Sequence, residues 1–291
     1  MKHGWLIYAE ANVEENRSYI NWMIAEAQMQ NVSLELVIRE QLIIGIENQE
    51  RTIKVDNKEV HKPDFAIIRL IEPLLNLHLE TCGITVFNSS SISSICNNKA
   101  LTHHHIIDQD IPMVDTIFAQ KDTVSQTPPM PYPFIIKETS GRGGKQVYYI
   151  QDKQDWLNRI SSIATNDIII QACNVQLGKD LRVFVIGKEI IGAVLRESTD
   201  DFRSNFKLGG SARMYQLHAH ERSIISKIIR SFHFDMVGID FLIGLNGELL
   251  FNEIEDVVGS RTLSTVSDLN ILEKYITHIT DKLKSGISTD N

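Results

Sequence analysis

The chain has 291 residues, of which 43% are hydrophobic and 23% are charged, and its formal net charge is −8. This composition is ordinary for a globular protein with ample core, built as one large domain or as two to three small ones. The negative charge, together with the lack of a Lys/Arg stripe, argues against a nucleic-acid binder that works by neutralising phosphates.

The start of the chain and its cysteines bear on location. The apolar segment Trp5–Tyr8 near the start is too short for a signal peptide, and no run reaches the ~18 apolar residues of a membrane span. Cys82, Cys96 and Cys173 lack the spacing of a metal site or a redox motif, so they are expected to be core thiols in a reducing compartment. We therefore predict a cytoplasmic protein.

Short apolar runs alternate with stretches of helical spacing over the first 88 residues. The predicted strands are Trp5–Tyr8, Leu34–Ile38, Phe65–Leu70 and Ile84–Phe87. Strands that alternate with helices indicate a parallel sheet flanked by helices, so we predict a small α/β domain over residues 1–88. Substrate contacts in such sheets lie beyond the carboxyl ends of the strands, which makes Glu10 and Arg69 candidates. Ordinary surface charges fit these two residues equally well.

A serine-rich segment, Ser89–Ser94, is expected to link this domain to a helical segment that contains Lys99 and runs to about Asp110. Three consecutive histidines, His103–His105, lie in that segment. Consecutive helical positions point in three directions, so these side chains cannot chelate one metal from a single helix face. We interpret them as a partly solvated face.

A glycine-rich segment follows the predicted strand Phe134–Lys137, and its glycines include Gly141, Gly143 and Gly144. Glycines at this density let backbone N–H groups approach phosphate closely. The segment leads to another predicted strand, Gln146–Ile150, whereas a P-loop leads from a strand to a helix. We therefore expect a mobile flap over a phosphate chain, although a plain glycine-rich hairpin tip fits the pattern as well.

Two arginines lie on a hairpin predicted for residues 181–196. The simplest register pairs Ile186 with Glu189, which places Arg182 opposite Ala193 and directs Arg196 to the other face. A β-bulge would be needed to bring both guanidinium groups to one anion. Arginine binds phosphate or carboxylate through two parallel hydrogen bonds, and a surface salt bridge is the plainer interpretation of each residue.

A polar, glycine-rich segment, residues 203–210, separates this hairpin from the next one. Asn205 within it is a candidate oxygen ligand for a metal or a donor to phosphate, and a plain turn residue is the alternative. A last helix is predicted from about Asp268 to Lys282.

The next hairpin brings acidic side chains together. Asn246-Gly247 between two apolar runs predicts a two-residue turn with positive φ at both positions. That register places Asp240 opposite Glu253, and Glu255 lies on the same face because side chains alternate along a strand. It also pairs Leu242 with Phe251 and Phe241 with Asn252.

Like charges that face each other across a sheet are destabilising, by roughly 3 kcal/mol per pair at ~5 Å and an effective dielectric of ~20. A divalent metal between the carboxylates of Asp240, Glu253 and Glu255 would offset this repulsion, and Mg²⁺ is commonly bound by one or two carboxylates together with nucleotide phosphates. The alternative is a structural ion pair in which a nearby Arg or Lys neutralises the acids.

The ordered succession of these features resembles the ATP-grasp superfamily, and most closely the RimK-type glutamate ligases and bacterial glutathione synthetases. The resemblance spans roughly residues 88–283. It is carried by Lys99, Lys137 with its glycine-rich segment, residues 171–174, residues 178–184, residues 202–205 with Gly209-Gly210, residues 238–242, and Asn252-Glu253. It implies a mixed α/β (α+β) ATP-grasp fold with an N-terminal Rossmann-like, or pre-ATP-grasp, parallel domain. The implied domains are residues 1–88, residues 89–170 with the flap, and residues 171–291 with the metal site.

The resemblance also implies roles for individual residues. Lys99, Lys137 and the flap glycines would contact ATP phosphates, and Gln171, Ala172, Cys173 and Asn174 would form the hinge that receives adenine. Asp180 would lie near the ribose. Arg182 and Arg196 would stabilise the transferring phosphoryl group, with Arg203, Ser204 and Asn205 lining the same cavity. Asp240 and Glu253 would hold Mg²⁺, with Mn²⁺ as an alternative, and Glu255 would add a third carboxylate.

Two positions depart from the family pattern. Glu255 stands where the family usually has Asn, and Ala172 stands where an acidic hinge residue is common. The first departure adds negative charge to the metal site, and the second leaves adenine recognition more dependent on the backbone.

The implied function is an ADP-forming ligase that joins a carboxylate to an amine through an acyl phosphate. Its partners would be ATP, a small-molecule or peptide carboxylate, and an amine or amino acid, with no nucleic acid and no membrane. An ATP-grasp kinase acting on a hydroxyl and an ATP-binding module without turnover are the alternatives. The sequence identifies neither the carboxylate nor the amine, and it leaves the oligomeric state open, with a homo-oligomer among the options.

Overall fold

The computed structural model describes residues 1–124, 126–139, 146–199, 201–203 and 210–286. The strands, in chain order, are β1 Lys2–Tyr8, β2 Val32–Ile38, β3 Leu42–Glu47, β4 Glu50–Val55, β5 Lys58–Glu59, β6 Phe65–Ile68, β7 Thr85–Phe87, β8 Thr116–Gln120, β9 Phe134–Glu138, β10 Val147–Ile150, β11 Asp167–Ala172, β12 Val175–Ile186, β13 Glu189–Glu197, β14 Ser211–Met214, β15 Met236–Gly244 and β16 Leu249–Glu255. The α-helices are α1 Glu10–Val13, α2 Arg17–Met29, α3 Pro73–Thr81, α4 Ser90–Cys96, α5 Lys99–Ile106, α6 Lys121–Val124, α7 Lys153–Ser162, α8 Ala219–Arg230, α9 Arg261–Val266 and α10 Ile271–Ser285.

The N-terminal part is the predicted parallel sheet, with strand order β2-β1-β6-β7. Its central strands are apolar on both faces because helices cover the sheet from two sides. Leu6 packs with Met23 of α2 on one face, and Ile7 packs with Leu75 of α3 on the other. Strands β3, β4 and β5 add a small antiparallel sheet that the sequence did not predict.

The serine-rich segment was predicted as a link, and this prediction is wrong. It folds into α4, whose first turn is capped by Ser89, since its side-chain oxygen accepts a hydrogen bond from the Ile92 backbone N–H at 3.3 Å. The helix with Lys99 ends at Ile106 and continues as a 3₁₀ turn, Ile107–Gln109. Both helices pack on the core of the last sheet.

The second sheet has the order β10-β9-β11-β8 and is antiparallel throughout. Strand β9 pairs directly with β10, with Lys137 opposite Val147, so the glycine-rich segment runs from strand to strand as predicted. The segment itself, residues 140–145, lies outside the described residues, and with it Gly141, Gly143 and Gly144.

The third sheet is antiparallel in the order β14-β13-β12-β15-β16. Helix α8 covers one face of it, and α10 connects its other face to the N-terminal sheet, because Ile276 and Ile279 share a core with Leu6 and Met23. This last helix lies close to the predicted position and ends at Ser285; the residue that follows, Gly286, has φ 64° and caps it. The predicted domain boundaries at 88/89 and 170/171 stay a prediction.

The hairpin of β15 and β16 has a different turn from the predicted one. Of the two expected turn residues, Gly247 alone has a positive φ, 89°, and the loop is one residue longer, since the Gly244 N–H donates to the Glu248 carbonyl at 2.8 Å. The predicted pairs of Leu242 with Phe251 and of Phe241 with Asn252 are therefore wrong: Leu242 faces Leu250 and Phe241 faces Phe251. A bulge at Asn252 then restores the predicted pair of Asp240 and Glu253.

Among the described helices, none combines the length and the apolar content that crossing a membrane requires.

Candidate active site

A cavity of about 840 Å³ opens between the second sheet, the third sheet and the carboxyl edge of the N-terminal sheet. This volume lies within the range of cofactor and ligand sites. Most of the site residues predicted from the sequence line this cavity: Lys99, Lys137, Gln171, Ala172, Cys173, Asp180, Arg182, Arg196, Arg203, Asp240, Glu253 and Glu255. Asn174 is exposed and is not part of the lining. Ser204 and Asn205 lie outside the described residues.

Three carboxylates converge at the centre of the cavity. Oxygens of Asp240, Glu253 and Glu255 lie within 4.8 Å of one another. Asp240 is 2% exposed, whereas Glu253 and Glu255 are partly open to the cavity. The two-residue period of β16 places Glu253 and Glu255 on one face, and the bulge at Asn252 places Glu253 directly across from Asp240.

Basic side chains lie among these acids, as the alternative interpretation required. Arg182 donates from Nε and Nη2 to the two Asp240 oxygens at 2.7 and 2.6 Å, and its Nη2 is 2.8 Å from Glu255 Oε1. Lys99 Nζ is 2.8 Å from Glu253 Oε2. The repulsion between the carboxylates is therefore offset by the chain's own cations.

The charge balance fixes the protonation of the acids. Burial raises the pKa of Asp240, but Arg182 and Arg196 outweigh burial and hold that pKa at about 2. Burial also acts to raise the pKa of Glu253, and the neighbouring Lys99 and Lys137 bring it below its usual range. Both groups are ionised at neutral pH and present hard oxygen ligands.

The two arginines reach the same anion, which the simplest register did not predict. Arg182 faces Val194 instead of Ala193, because a bulge at Ile191 shifts the register of β12 and β13. Arg196 Nη2 donates to Asp240 Oδ2 at 3.0 Å, so both guanidinium groups contact Asp240. The bulge that the sequence argument required for such convergence is present.

Asp180 and Arg203 are each engaged in an ion pair. Arg196 donates to both oxygens of Asp180 at 2.6 Å, and the two residues face each other across β12 and β13. Arg203 donates to both oxygens of Asp201 at 2.9 and 2.6 Å. Asp180 therefore helps to orient Arg196, in addition to any contact with a ligand.

Lys137 is a buried lysine, 8% exposed, whose Nζ donates to Asn252 Oδ1 at 2.7 Å. Burial, with the nearby charge of Lys99, lowers its pKa to about 8, although Glu253 acts in the opposite direction. Asn252 and Lys137 link the second and third sheets across the cavity.

His103 supports the same place from behind. It is 3% exposed, and its Nε2 is 3.0 Å from the backbone carbonyl oxygen of Asn252. Burial lowers its pKa to about 4, so the ring is neutral at pH 7 and donates from Nε2. The interpretation of His103 as part of a solvated face is wrong, whereas its neighbour His104 is exposed as expected.

The far end of the cavity is apolar. Ile135, Val147, Ala172 and Leu242 line it together with Gln171. Gln171 donates to Thr116 Oγ1 at 2.9 Å, while its buried Oε1 has no hydrogen-bond partner among the described residues. Apolar walls with a free acceptor suit a purine ring that carries an amino group.

The N-terminal sheet supplies the remaining wall. Tyr8 and Arg69 from the sheet edge and Tyr19 from α2 line it, together with Ser260 and Thr262, which follow β16. The sequence predicted Arg69 from its place beyond the carboxyl end of a strand. Glu10, the other candidate, does not line the cavity; it lies in α1, and its backbone N–H donates to Glu40.

The central carboxylates meet the chemical requirements of a divalent metal such as Mg²⁺, which takes oxygen ligands and usually retains water and phosphate ligands as well. Asp240, Glu253 and Glu255 offer one oxygen each within one coordination sphere and face a cavity large enough for a nucleotide. These three residues would hold the metal.

The fold and this cavity define the class of the protein. The model of the RimK-like ATP-grasp domain matches residues 73–279, and the chain belongs to this family. The resemblance found from the motifs, and the ATP-grasp fold that it implied, are both confirmed.

Particular relatives include the glutamate–LysW ligase ArgX of Sulfurisphaera tokodaii, 25% identical over 270 residues that cover 84% of this chain and 96% of the relative. A probable α-L-glutamate ligase of Legionella pneumophila is 28% identical over 216 residues, covering 71% of this chain and 70% of the relative. Among solved structures, D-alanyl-alanine synthetase A of Vibrio cholerae has a TM-score of 0.74 at 13% identity and covers 97% of this chain and 98% of its own.

Proposed function

We propose that the protein is an ATP-dependent, ADP-forming ligase that joins a carboxylate to an amine through an acyl phosphate. The observation that carries the proposal is the convergence of three carboxylates, two lysines and two arginines in one cavity with an apolar end. The named relatives in the same family are amino-acid ligases, which agrees with this chemistry.

The nucleotide would bind with its base against Ile135 and Leu242 and its phosphates toward Lys99 and Lys137. Phosphoryl transfer needs positioning and neutralisation of charge on the phosphate oxygens, and no side-chain nucleophile. Mg²⁺, or Mn²⁺ in its place, would supply Lewis-acid neutralisation of those oxygens when bound. Asp240, Glu253 and Glu255 would hold the metal.

An exchange of partners follows from the ion pairs at the site. Lys99 is paired with Glu253, and Arg182 with Asp240 and Glu255. A metal nucleotide would bring cations to the acids and anions to the bases, so both sets would find new partners without leaving a buried charge unpaired. Arg196, which Asp180 orients, would then face the transferring phosphoryl group.

The amine substrate is proposed to be an amino acid, since relatives of this chain are named as glutamate ligases. The carboxylate would belong to a small molecule or a peptide. The cytoplasm is proposed as the compartment, because Cys82, Cys96 and Cys173 are free thiols and form no disulfide.

The test is a screen for ADP release with pairs of amino acids and carboxylates, followed by mass spectrometry of the products. We expect an amide product and stoichiometric ADP in the presence of Mg²⁺. A stable phosphate ester would instead identify a kinase, and nucleotide binding without any ADP release would identify a binding module. An Asp240→Asn variant is the inactive control.

A further inference from the structure

One arm of the cavity lies at the carboxyl ends of the neighbouring parallel strands β1 and β6. Tyr8 is the last residue of β1, and Arg69 follows β6, where its backbone N–H donates to the Ile7 carbonyl at 2.9 Å. The two side chains therefore lie next to each other at the sheet edge. Carboxyl ends of parallel strands are the usual place for ligand contacts in such sheets.

Arg69 is a half-buried cation without a counter-ion among the described residues. Its Nη2 donates to the Val258 carbonyl at 2.8 Å, and its guanidinium lies 5.4 Å from the centre of the Tyr19 ring. Its Nε is buried and has no hydrogen-bond partner within the described ranges. A neutral carbonyl and an aromatic face leave the positive charge uncompensated, which a folded protein tolerates poorly unless an anion binds there.

Four hydroxyl groups line the same cavity as this guanidinium. The Tyr8 hydroxyl lies beside Arg69 and the Ser260 hydroxyl beside Tyr19. The buried oxygens of Tyr8, Tyr19, Ser260 and Thr262 nevertheless make no well-aligned hydrogen bond within the described part of the chain. Buried polar groups are normally paired, so a set of unpaired donors that lines a cavity indicates a ligand with several acceptor oxygens. A guanidinium with neighbouring hydroxyls is the donor set that a carboxylate satisfies.

We propose that Arg69, Tyr8 and Tyr19 bind a carboxylate of the non-nucleotide substrate that is not phosphorylated in the reaction. The phosphorylated carboxylate has to reach the metal ligands and Arg196, whereas Arg69 lies at the carboxyl end of β6 and donates to the Val258 carbonyl. The shared chemistry is a spectator carboxylate, carried either by an α-amino acid or by a dicarboxylic acid. This inference rests on the proposed function, because that function distinguishes a phosphorylated carboxylate from one that is not. Binding of a carboxylate at Arg69 can nevertheless be tested without turnover.

The test is calorimetric titration of the protein, saturated with Mg²⁺ and a non-hydrolysable ATP analogue. The probes are the common α-amino acids, succinate and citrate, together with their carboxamides. Arg69→Gln removes the cation, Tyr19→Phe removes one hydroxyl, and Arg17→Gln on the exposed face of α2 is the matched control. Circular dichroism checks that Arg69→Gln is folded. If it is not, the binding measured with Tyr19→Phe and with the carboxamides decides whether the carboxylate binds at this site.

We expect at least one carboxylate to bind, and Arg69→Gln or amidation of that carboxylate to weaken binding about 10- to 100-fold, the range of a lost charge-assisted hydrogen bond. Binding of an amino acid would identify an α-amino acid as the carrier of the carboxylate, and binding of succinate or citrate would identify a di- or tricarboxylic acid. No binding by any probe, or binding that is insensitive to Arg69→Gln and to amidation, would overturn the inference. If Arg69→Gln forms the amide with an unchanged KM for the carboxylate substrate, this inference is wrong but the proposed function stands. If carboxylates bind but no amide forms, the proposed function is wrong but this inference stands.

Discussion

Arg182 and Asp240 form two parallel hydrogen bonds, 2.7 Å from Nε to Oδ1 and 2.6 Å from Nη2 to Oδ2, across neighbouring strands of the third sheet. A proposed metal ligand is thus already held by a proposed phosphate-binding residue. The pair keeps both buried charges compensated and fixes their position in the cavity.

Glu253→Gln tests the metal assignment, because it removes a ligand charge with little change in shape. We expect kcat for ADP formation to fall roughly 100-fold or more, since the metal's share of charge stabilisation amounts to several kcal/mol. Glu248→Gln, an exposed residue on the same hairpin, is the matched control. Steady-state ADP assays at saturating Mg²⁺ measure both variants, and equal turnover in the two would refute the assignment.

Arg196→Lys tests the bidentate pairing with Asp180. Lysine keeps the charge but cannot make two parallel hydrogen bonds, so its position in the cavity would be lost. We expect kcat to fall about 10- to 100-fold, with a smaller change in the KM for ATP. Arg213→Lys, an exposed arginine on β14, should leave both constants unchanged. A similar loss in both variants would argue against a specific role for Arg196.

The lowered pKa of Lys137 leads us to expect that nucleotide binding depends on pH. Burial, with a smaller contribution from Lys99, lowers its pKa to about 8, so the free protein loses this positive charge as the pH rises through 8. The charged form attracts phosphate, and ADP affinity should therefore fall between pH 7 and pH 9, with proton uptake on binding near pH 8. Calorimetry in two buffers of different ionisation enthalpy measures both effects. In Lys137→Met the affinity should be weaker and nearly constant over that range; a slope equal to that of the wild type would exclude Lys137 as its source.

His103 is expected to act as a positioning residue through Asn252. Its Nε2 donates to the backbone carbonyl of Asn252, the bulge residue that precedes Glu253. The side chain of Asn252 also accepts the hydrogen bond from Lys137. Replacement by Gln should lower the free energy of unfolding by about 1–3 kcal/mol, through loss of a buried hydrogen bond, and should raise the KM for ATP. His104→Gln on the exposed side of the same helix is the control.

The pH dependence of stability separates this role from simple packing. Burial lowers the pKa of His103 from 6.5 to about 4, so the unfolded chain binds a proton more readily than the native protein in this range. The contribution of His103 to the free energy of unfolding is therefore complete above pH 6.5 and is lost as the pH falls toward 4. The free energy of unfolding measured with urea should therefore fall more steeply over this pH interval for the wild type than for His103→Gln. Parallel profiles would contradict the burial of a neutral imidazole.

Much of the site could be predicted because β-strands have a fixed period. The pairing of Asp240 with Glu253 is correct, but a longer loop and a bulge at Asn252 cancel each other to produce it. Neither deviation has a clear signal in a single sequence, since Asn246-Gly247 fits both a two-residue and a three-residue loop. The bulge at Ile191 that brings Arg196 to Asp240 was equally unpredictable.

Contacts between distant elements set the limit of the sequence argument. Nothing local indicates that Lys99 pairs with Glu253, or that His103 packs beneath Asn252, because each contact joins residues about 150 positions apart. Arg69 was predicted from its place at a strand end, but its partners Tyr19 and Val258 come from a helix and from a segment after the last strand. The helix Ser90–Cys96 was missed because its capping serine, Ser89, resembles a linker residue.

The most direct test of the central claim is the crystal structure of the complex with Mn²⁺ and a non-hydrolysable ATP analogue, with the metal located by anomalous scattering. We expect an anomalous peak within ~2.4 Å of oxygens of Asp240 and Glu253, and Lys99 displaced from Glu253 toward a phosphate. A complex in which the nucleotide binds while Arg182, Arg196 and Lys99 keep their present carboxylate partners, with no metal among Asp240, Glu253 and Glu255, would contradict the claim.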